Sequence, residues 1–181
     1  MPKNAVKSNT KLLISLIVAG LGVLTLGVQT WADSPEIFPP SLLKDFLSWE
    51  SVTDGEKPFI SNGHGGILVR SYFNAPAGPV YKGKQDIPFL EGSILAKAVI
   101  PDEETPSKEA TRVYFMRKMD ANYDPNNNNW AYAYADRQAN GSYKFSEQGK
   151  LEGCYTCHSA HKEYDYAFTV KIYQDLHPKM P

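Results

Sequence analysis

The sequence predicts a mainly β fold with a few helices, and three observations support this prediction. Four segments alternate apolar and polar residues with a period of two, which is typical of half-buried strands. Tyr, Gly and Pro are frequent, with 11, 13 and 13 copies, and this composition does not suit a four-helix bundle. Asn140-Gly141 has the chemistry of a hairpin turn between strands. The length of 181 residues is sufficient for one domain.

Residues 1–32 are interpreted as an export signal that is cleaved from the folded protein. A basic start with three lysines precedes an apolar run of 17 residues, and a small-x-small cleavage motif follows. The alternative is an uncleaved membrane anchor, although a span needs about 20 apolar residues. The lysines are Lys3, Lys7 and Lys11, the apolar run is Leu12–Val28, and the cleavage motif is Thr30-Trp31-Ala32.

Residues 33–181 are expected to form the single mature domain. Of the 19 basic side chains, 3 belong to the leader. The mature domain therefore has 16 basic and 20 acidic side chains, and its formal charge is −4. The chain has no basic stripe, and we therefore expect no nucleic-acid partner.

The first predicted element of this domain is a short amphipathic helix, with Ser41 at its N-cap. Its core-facing positions are predicted to be Leu42, Leu43, Phe46, Leu47 and Trp49. Five strands are predicted to follow: Ile67–Phe73, Ser93–Ile100, Thr111–Met119, Trp130–Asp136 and Ser142–Phe145.

Alternation along these strands assigns side chains to faces. It places Lys97 beside Leu95 and Val99, and a lysine between apolar neighbours either protects a sheet edge, extends its amine to solvent, or faces something particular. In the fourth strand, Trp130, Tyr132 and Tyr134 share one face. The alanines between them leave space on the other face for another element or a flat ligand.

The strongest functional signal is Cys154-Tyr155-Thr156-Cys157-His158, which is the attachment motif of c-type haem. In that motif the two thiols bind the haem covalently and the histidine is the proximal iron ligand. A local disulfide, half of a zinc site and a thioredoxin-like redox pair are the alternatives. No second pair of cysteines is present to complete a zinc site, and the βαβ context of a redox pair is missing. The sequence therefore predicts one covalently bound haem c, which agrees with export to the periplasm.

A second axial ligand is not evident in the sequence. Met180 is next to the last residue, and Met116 and Met119 are on a predicted strand, where methionine commonly fills gaps in packing. His64 is interpreted as a turn residue, and His161 is too close to His158 to bind the same iron from the other side. We therefore expect a five-coordinate iron with one face open to a small molecule.

Several segments together resemble the cytochrome P-460 family and its relatives, the c′-beta cytochromes. The resemblance covers most of the mature chain, and it implies an α+β fold that is mainly antiparallel β-sheet with a few flanking helices. It also implies a five-coordinate haem c and a homodimer. The segments are Lys57-Pro58-Phe59, His64-Gly65, Arg70-Ser71-Tyr72-Phe73-Asn74, Phe89 to Lys97, Met116-Arg117-Lys118-Met119, Trp130-Ala131-Tyr132, the haem motif, and Asp165-Tyr166-Ala167-Phe168.

Within this resemblance, Lys97 falls on the lysine that forms an extra bond to the haem macrocycle in cytochrome P-460 proteins, which oxidise hydroxylamine. The c′-beta relatives lack that bond and bind nitric oxide beneath a cap of phenylalanines, for which Phe59 and Phe89 are the candidates. Ala98 replaces the acidic residue that commonly follows the lysine, and Leu90 stands where proline is usual.

Two functions are thus predicted: hydroxylamine oxidation with electrons passed to a soluble acceptor protein, or nitric oxide binding without turnover. Arg70 is a candidate to hydrogen-bond a distal ligand or a haem propionate, with an exposed surface role as the alternative. Glu147 and Glu152 are candidate proton acceptors, although glutamates at this position also favour the positive end of a helix.

Overall fold

Seven antiparallel strands in one sheet organise the part of the chain that the structure describes, residues 36–178 of a computed structural model. The predicted leader, residues 1–32, lies outside the described residues. The strands are β1 (Glu50–Ser51), β2 (Phe59–Ser61), β3 (Ile67–Phe73), β4 (Ile94–Val99), β5 (Arg112–Lys118), β6 (Trp130–Arg137) and β7 (Tyr143–Gly149).

The sheet has the order β1-β3-β4-β5-β6-β7, and β2 pairs with the first half of β3. Every pair is antiparallel. Four helices flank the sheet: α1 (Leu42–Asp45), α2 (Gly78–Tyr81), α3 (Glu152–His158) and α4 (Thr169–Leu176). The predicted α+β fold, mainly antiparallel sheet with a few flanking helices, is confirmed. Among residues 36–178, none of the helices has the length and apolar character needed to cross a membrane.

The two faces of the sheet are covered by different parts of the chain. One face packs against α1 and the turn after it, where the rings of Phe46 and Phe115 lie 5.9 Å apart. Ala131 and Ala133 of β6 are buried in this same cluster. The space beside these alanines is therefore used by another element of the fold, and the opposite face remains for α2, α3 and α4.

The start of the domain differs in detail from its prediction. Ser41 precedes α1, but its side chain makes no capping hydrogen bond. Phe46 is fully buried while Leu47 is 40% exposed, so the prediction that Leu47 faces the core is wrong. The physical reason is that α1 ends at Asp45 and continues as a tighter 3-10 turn, Phe46–Ser48, which points the next residue away from the core.

The last strand is longer than predicted. The alternating pattern ends at Phe145, but β7 continues to Gly149, which pairs with Tyr132 of β6. A register shift between Tyr134 and Ala135 allows this extension. Residues 146–149 are Ser, Glu, Gln and Gly, so this part of the edge strand has no alternation of apolar and polar residues that would predict it.

Candidate functional site

Helix α3 presents two thiols and one imidazole to the open face of the sheet. Cys154 and Cys157 are both unpaired thiols, and their three-residue spacing places them on neighbouring turns of one helix. His158 is one turn after Cys154. The helix begins where the carbonyl of Leu151 accepts the backbone N–H groups of Cys154 and Tyr155, at 2.9 and 3.1 Å.

The side chain of His158 is fixed in one tautomer. Its Nδ1 lies 2.7 Å from the carbonyl oxygen of Tyr166. A carbonyl only accepts, so Nδ1 carries the hydrogen and Nε2 keeps a free lone pair, which is the form that binds a metal. Burial, and to a smaller extent the charge of Lys97, lower the pKa of His158 to about 4, against the opposing effect of its bond to Tyr166. The ring is therefore neutral at physiological pH.

The carbonyl of Tyr166 is held in place by the residue before it. Asp165 is 1% exposed, and its carboxylate accepts hydrogen bonds from Lys118 Nζ at 2.8 and 2.9 Å. Asp165 and Tyr166 both have positive φ angles, 50° and 66°, which for a tyrosine is an uncommon backbone conformation. The further donors to Asp165 are the backbone N–H of Phe89 at 2.7 Å, the indole N–H of Trp130 at 3.2 Å, and the amide of Asn128.

Two adjoining cavities lie between α3 and the sheet. The smaller has a volume of about 50 Å³ and the larger about 460 Å³. Cys154 lines the smaller cavity and Cys157 the larger one. His64, Lys97, His158 and Phe168 line both. The haem motif therefore opens on to a continuous cleft with both thiols and the imidazole at its walls.

Lys97 reaches this cleft from the middle of β4. Its cross-strand neighbours are Ser71 of β3 and Tyr114 of β5, and its Nζ donates a hydrogen bond to Ser61 Oγ at 3.3 Å. Burial lowers the pKa of Lys97 to about 8, partly offset by the nearby Cys157 thiol. Because β4 is paired on both sides, Lys97 is not at a sheet edge, and its side chain lines the cleft.

His64 is the residue that sequence reasoning missed. It is in a turn, as predicted, at the end of the 3-10 segment Asn62–His64. Its ring stacks on Tyr114 with 4.5 Å between ring centroids and lies 6.4 Å from the His158 ring. Burial, followed by the charges of Lys97 and His158, lowers its pKa to about 3. The flanking glycines predict only a turn. Its position in the cleft depends on strands that are remote in sequence.

Arg70 is not brought to the cleft. It lies on the opposite face of the sheet, where Nε donates to the carbonyl of Glu56 at 2.7 Å. Its Nη atoms donate to the carbonyls of Glu103 and Thr105. In this position the guanidinium ties two loops to β3, and it has no contact with His158 or Lys97.

The two candidate cap phenylalanines are also separated. Phe59 lines the larger cavity. Phe89 is buried in the core, where its ring lies 5.6 Å from that of Trp130 and 5.8 Å from that of Tyr81. Phe89 lines neither cavity, so only Phe59 lies beside the haem motif.

The remaining candidates are two methionines, as iron ligands, and two glutamates, as proton acceptors, and they lie in different parts of the domain. Met116 lines the smaller cavity, while Met119 packs on the other side of the sheet. Glu152 is exposed at the first position of α3, where a carboxylate favours the positive end of the helix. Glu147 on β7 lies near Cys154, and its charge adds to the effect of burial in raising the pKa of that thiol.

The residues at the cleft fit a haem. Two free thiols and a neutral imidazole lie on one helix, and the walls are largely apolar. Among the described residues four buried polar side-chain atoms have no hydrogen-bond partner, and two of them, Ser71 Oγ and Tyr132 Oη, belong to residues that line the smaller cavity. Unpartnered buried groups of this kind are typical of a site that is completed by another molecule.

Comparison with known proteins agrees with this geometry. The family model for Cytochrome P460 matches residues 44–169. This range includes the whole sheet, α3 and the Asp165 network. No curated protein matches the chain.

Proposed function

This chain belongs to the cytochrome P460 family, and we propose that it is a periplasmic c-type cytochrome that oxidises hydroxylamine or a related small nitrogen species. The family implies a haem cofactor. The observation that carries the proposal is the convergence of Cys154, Cys157, His158 and Lys97 on one cleft.

Each of these side chains has a distinct role in the proposal. Cys154 and Cys157 would hold a single haem through two thioether bonds, and the free Nε2 of His158 would bind its iron. A haem held in this way supplies a redox-active iron with a coordination position for a small molecule. The bond from His158 to the Tyr166 carbonyl keeps Nε2 available and fixes the direction of the ring.

Lys97 is the residue that favours an enzyme. A pKa of about 8 gives this amine a substantial neutral, nucleophilic fraction near neutral pH. Its position beside the Cys157 thiol supports a further bond between the Lys97 nitrogen and a haem carbon, formed with loss of one N–H and one C–H hydrogen to a two-electron oxidant from solution. Substrate oxidation also releases protons with its electrons. His64 lines the cleft and is neutral at physiological pH, but its pKa of about 3 makes it a weak proton acceptor.

Two partners complete this proposal. Electrons would leave to a soluble acceptor protein. The protein is proposed to act as a homodimer in the periplasm, on the basis of the family and the predicted export signal.

The second candidate is a cytochrome that binds nitric oxide without turnover. The observation that favours it is the apolar character of the cleft, with Phe59 and Phe168 among its walls. An uncharged diatomic molecule suits such a lining.

One experiment separates the two candidates. The purified holoprotein is assayed for hydroxylamine oxidation, and the absorption spectrum of its reduced form is recorded. A red-shifted Soret band together with turnover supports the enzyme. An ordinary haem c spectrum without turnover rejects the enzyme and leaves the nitric oxide-binding protein.

A further inference from the structure

We propose that Ser61 is a positioning residue for Lys97, and that its hydroxyl holds the lysine amine in the orientation from which it bonds to the haem. This inference rests on the proposed function and deepens it, because it names a residue on which the extra bond of Lys97 depends. Ser61 lies outside the haem motif, at the end of β2.

The first step of the argument is that Ser61 is held firmly in place. It pairs with Ile67 of β3, its carbonyl oxygen accepts the backbone N–H of Gly66 at 3.1 Å, and the residue is 7% exposed. The turn that follows lies against α3, since a Cβ atom added to Gly63 would be 4.0 Å from Cys157 Sγ. Ser61 is therefore a fixed part of the wall of the larger cavity, near the thiol of Cys157.

The second step is the position of the hydroxyl between two other polar groups. Lys97 Nζ donates a hydrogen bond to Ser61 Oγ at 3.3 Å, and Ser61 Oγ lies 3.5 Å from His64 Nδ1. A hydroxyl has two acceptor lone pairs and one hydrogen. Because the lysine is the donor in the first contact, the hydroxyl hydrogen is free to point to the Nδ1 of the neutral imidazole, which keeps the oxygen turned towards the amine.

The third step is the lack of a charged partner for Lys97. Within residues 36–178, no carboxylate forms an ion pair with its amine. A lysine has a flexible four-carbon stem, and an unrestrained amine would sample many positions in the cleft. The hydrogen bond to Ser61 restricts this movement and keeps the nitrogen beside Cys157.

A neutral hydroxyl suits the chemistry of the proposed bond. An N–C bond replaces one N–H bond of the amine and one C–H bond of the haem. The two electrons and two protons released pass to a two-electron oxidant from solution, and a peroxide, for example, is thereby reduced to water. The nitrogen needs a free lone pair for this step. A carboxylate in the place of Ser61 would favour the charged ammonium, whereas a hydroxyl accepts a hydrogen bond from the amine in either protonation state.

The test compares Ser61→Ala with Ser71→Ala in the full-length holoprotein. Ser71 is the direct cross-strand neighbour of Lys97, and its buried hydroxyl has no hydrogen-bond partner. Both substitutions therefore remove a buried hydroxyl beside the same lysine, but only Ser61→Ala removes a bond to it. Mass spectrometry of a digest gives the ratio of haem linked through Lys97 to haem linked through the cysteine peptide alone. The Soret band of the reduced protein is recorded alongside.

We expect Ser61→Ala to lower this ratio about fivefold, which is the effect of one typical hydrogen bond, while both thioether bonds remain. Ser71→Ala should keep the ratio of the unmodified protein. Ser61→Thr retains a hydroxyl and should restore most of the ratio. Should Ser61→Ala give no folded holoprotein, His64→Phe is the second variant. It keeps an aromatic ring against Tyr114, removes the acceptor of the Ser61 hydroxyl, and should lower the ratio in the same direction.

Three results would overturn the inference. The first is an equal ratio in Ser61→Ala and in the unmodified protein. The second is an equal loss in Ser61→Ala and Ser71→Ala, which would show a general effect of packing. The third is an unmodified protein whose haem is on the cysteine peptide alone. Absence of hydroxylamine turnover in a protein that carries the Lys97 bond would reject the proposed enzyme alone, because the digest does not depend on turnover.

Discussion

His158 donates its Nδ1 hydrogen to the carbonyl oxygen of Tyr166 at 2.7 Å, and this contact links the haem motif to the buried core. The carbonyl follows Asp165 directly, and Asp165 is bonded to Lys118 and Trp130 on two strands of the sheet. The orientation of the imidazole is therefore set by the tertiary structure, beyond the five residues of the motif.

The buried pair Lys118–Asp165 is expected to contribute strongly to stability. Asp165→Asn leaves Lys118, 5% exposed, without its charge partner, and the loss of one partner of a buried pair costs about 3 kcal/mol of unfolding free energy. Chemical denaturation measures this change. Asp136→Asn is the control, because it breaks the partly exposed pair with Arg112, for which less than about 1 kcal/mol is expected. Equal losses in the two variants would contradict the assignment of Asp165 as the buried hub.

Both thiols are expected to hold the haem. Cys154→Ala or Cys157→Ala should leave the cofactor attached through one bond, and the double variant should release it to acid acetone, since no thioether remains. Mass spectrometry of the intact protein and extraction of the pigment provide the measurements. Release of haem from the unmodified protein would show that attachment is not covalent.

Lys97→Leu is expected to abolish hydroxylamine oxidation while preserving the fold. Leucine keeps apolar bulk in the cleft and deletes the amine with its hydrogen bond to Ser61, so the domain should still fold. A digest of the unmodified protein should contain haem linked to the Lys97 peptide as well as to the peptide of Cys154 and Cys157. Lys144→Leu, at an exposed position of β7, is the control and should retain turnover. Haem found on the cysteine peptide alone would reject the cross-link.

His64 is expected to make the holoprotein sensitive to acid. Its pKa is lowered to about 3 in the folded protein, whereas in an unfolded chain it is about 6.5. Between these values the unfolded state binds more protons, so the free energy of unfolding rises with pH. The contribution is complete above pH 6.5 and is lost as the pH falls towards 3.

Denaturation across this pH range tests the effect of His64. The variant His64→Gln should show a shallower decline in stability on the acid side than the unmodified protein. Identical slopes for the two proteins would contradict the buried, neutral state of this ring.

Local patterns predicted much of this fold and the centre of its site. Alternation predicted the faces of β3, β4, β5 and β6 because successive side chains of a strand point to opposite faces of the sheet. The spacing of Cys154, Cys157 and His158 is contained in five consecutive residues, and so is the chemistry that it indicates.

Contacts between residues remote in sequence explain what was not predicted. Lys118 and Asp165 are 47 positions apart, and the residues around each of them do not predict that the two side chains form a pair. Alternation assigns Arg70 to the correct face of its strand. Its carbonyl partners, however, belong to loops, and the conformation of a loop cannot be predicted from periodicity. His64 is a turn residue by its flanking glycines, and only the assembled sheet brings Tyr114 and Lys97 beside it.

The separation of Lys97 from α3 along the chain has a consequence for the order of maturation. Both thiols and the axial imidazole lie within one short peptide, so an attachment enzyme could act on them before the domain has folded. Lys97 precedes Cys154 by 57 residues (154 − 97 = 57) and reaches the cleft only when β4 has paired with β3 and β5. The proposed bond from Lys97 would therefore form after both thioether bonds, and only in molecules whose sheet had folded around the haem.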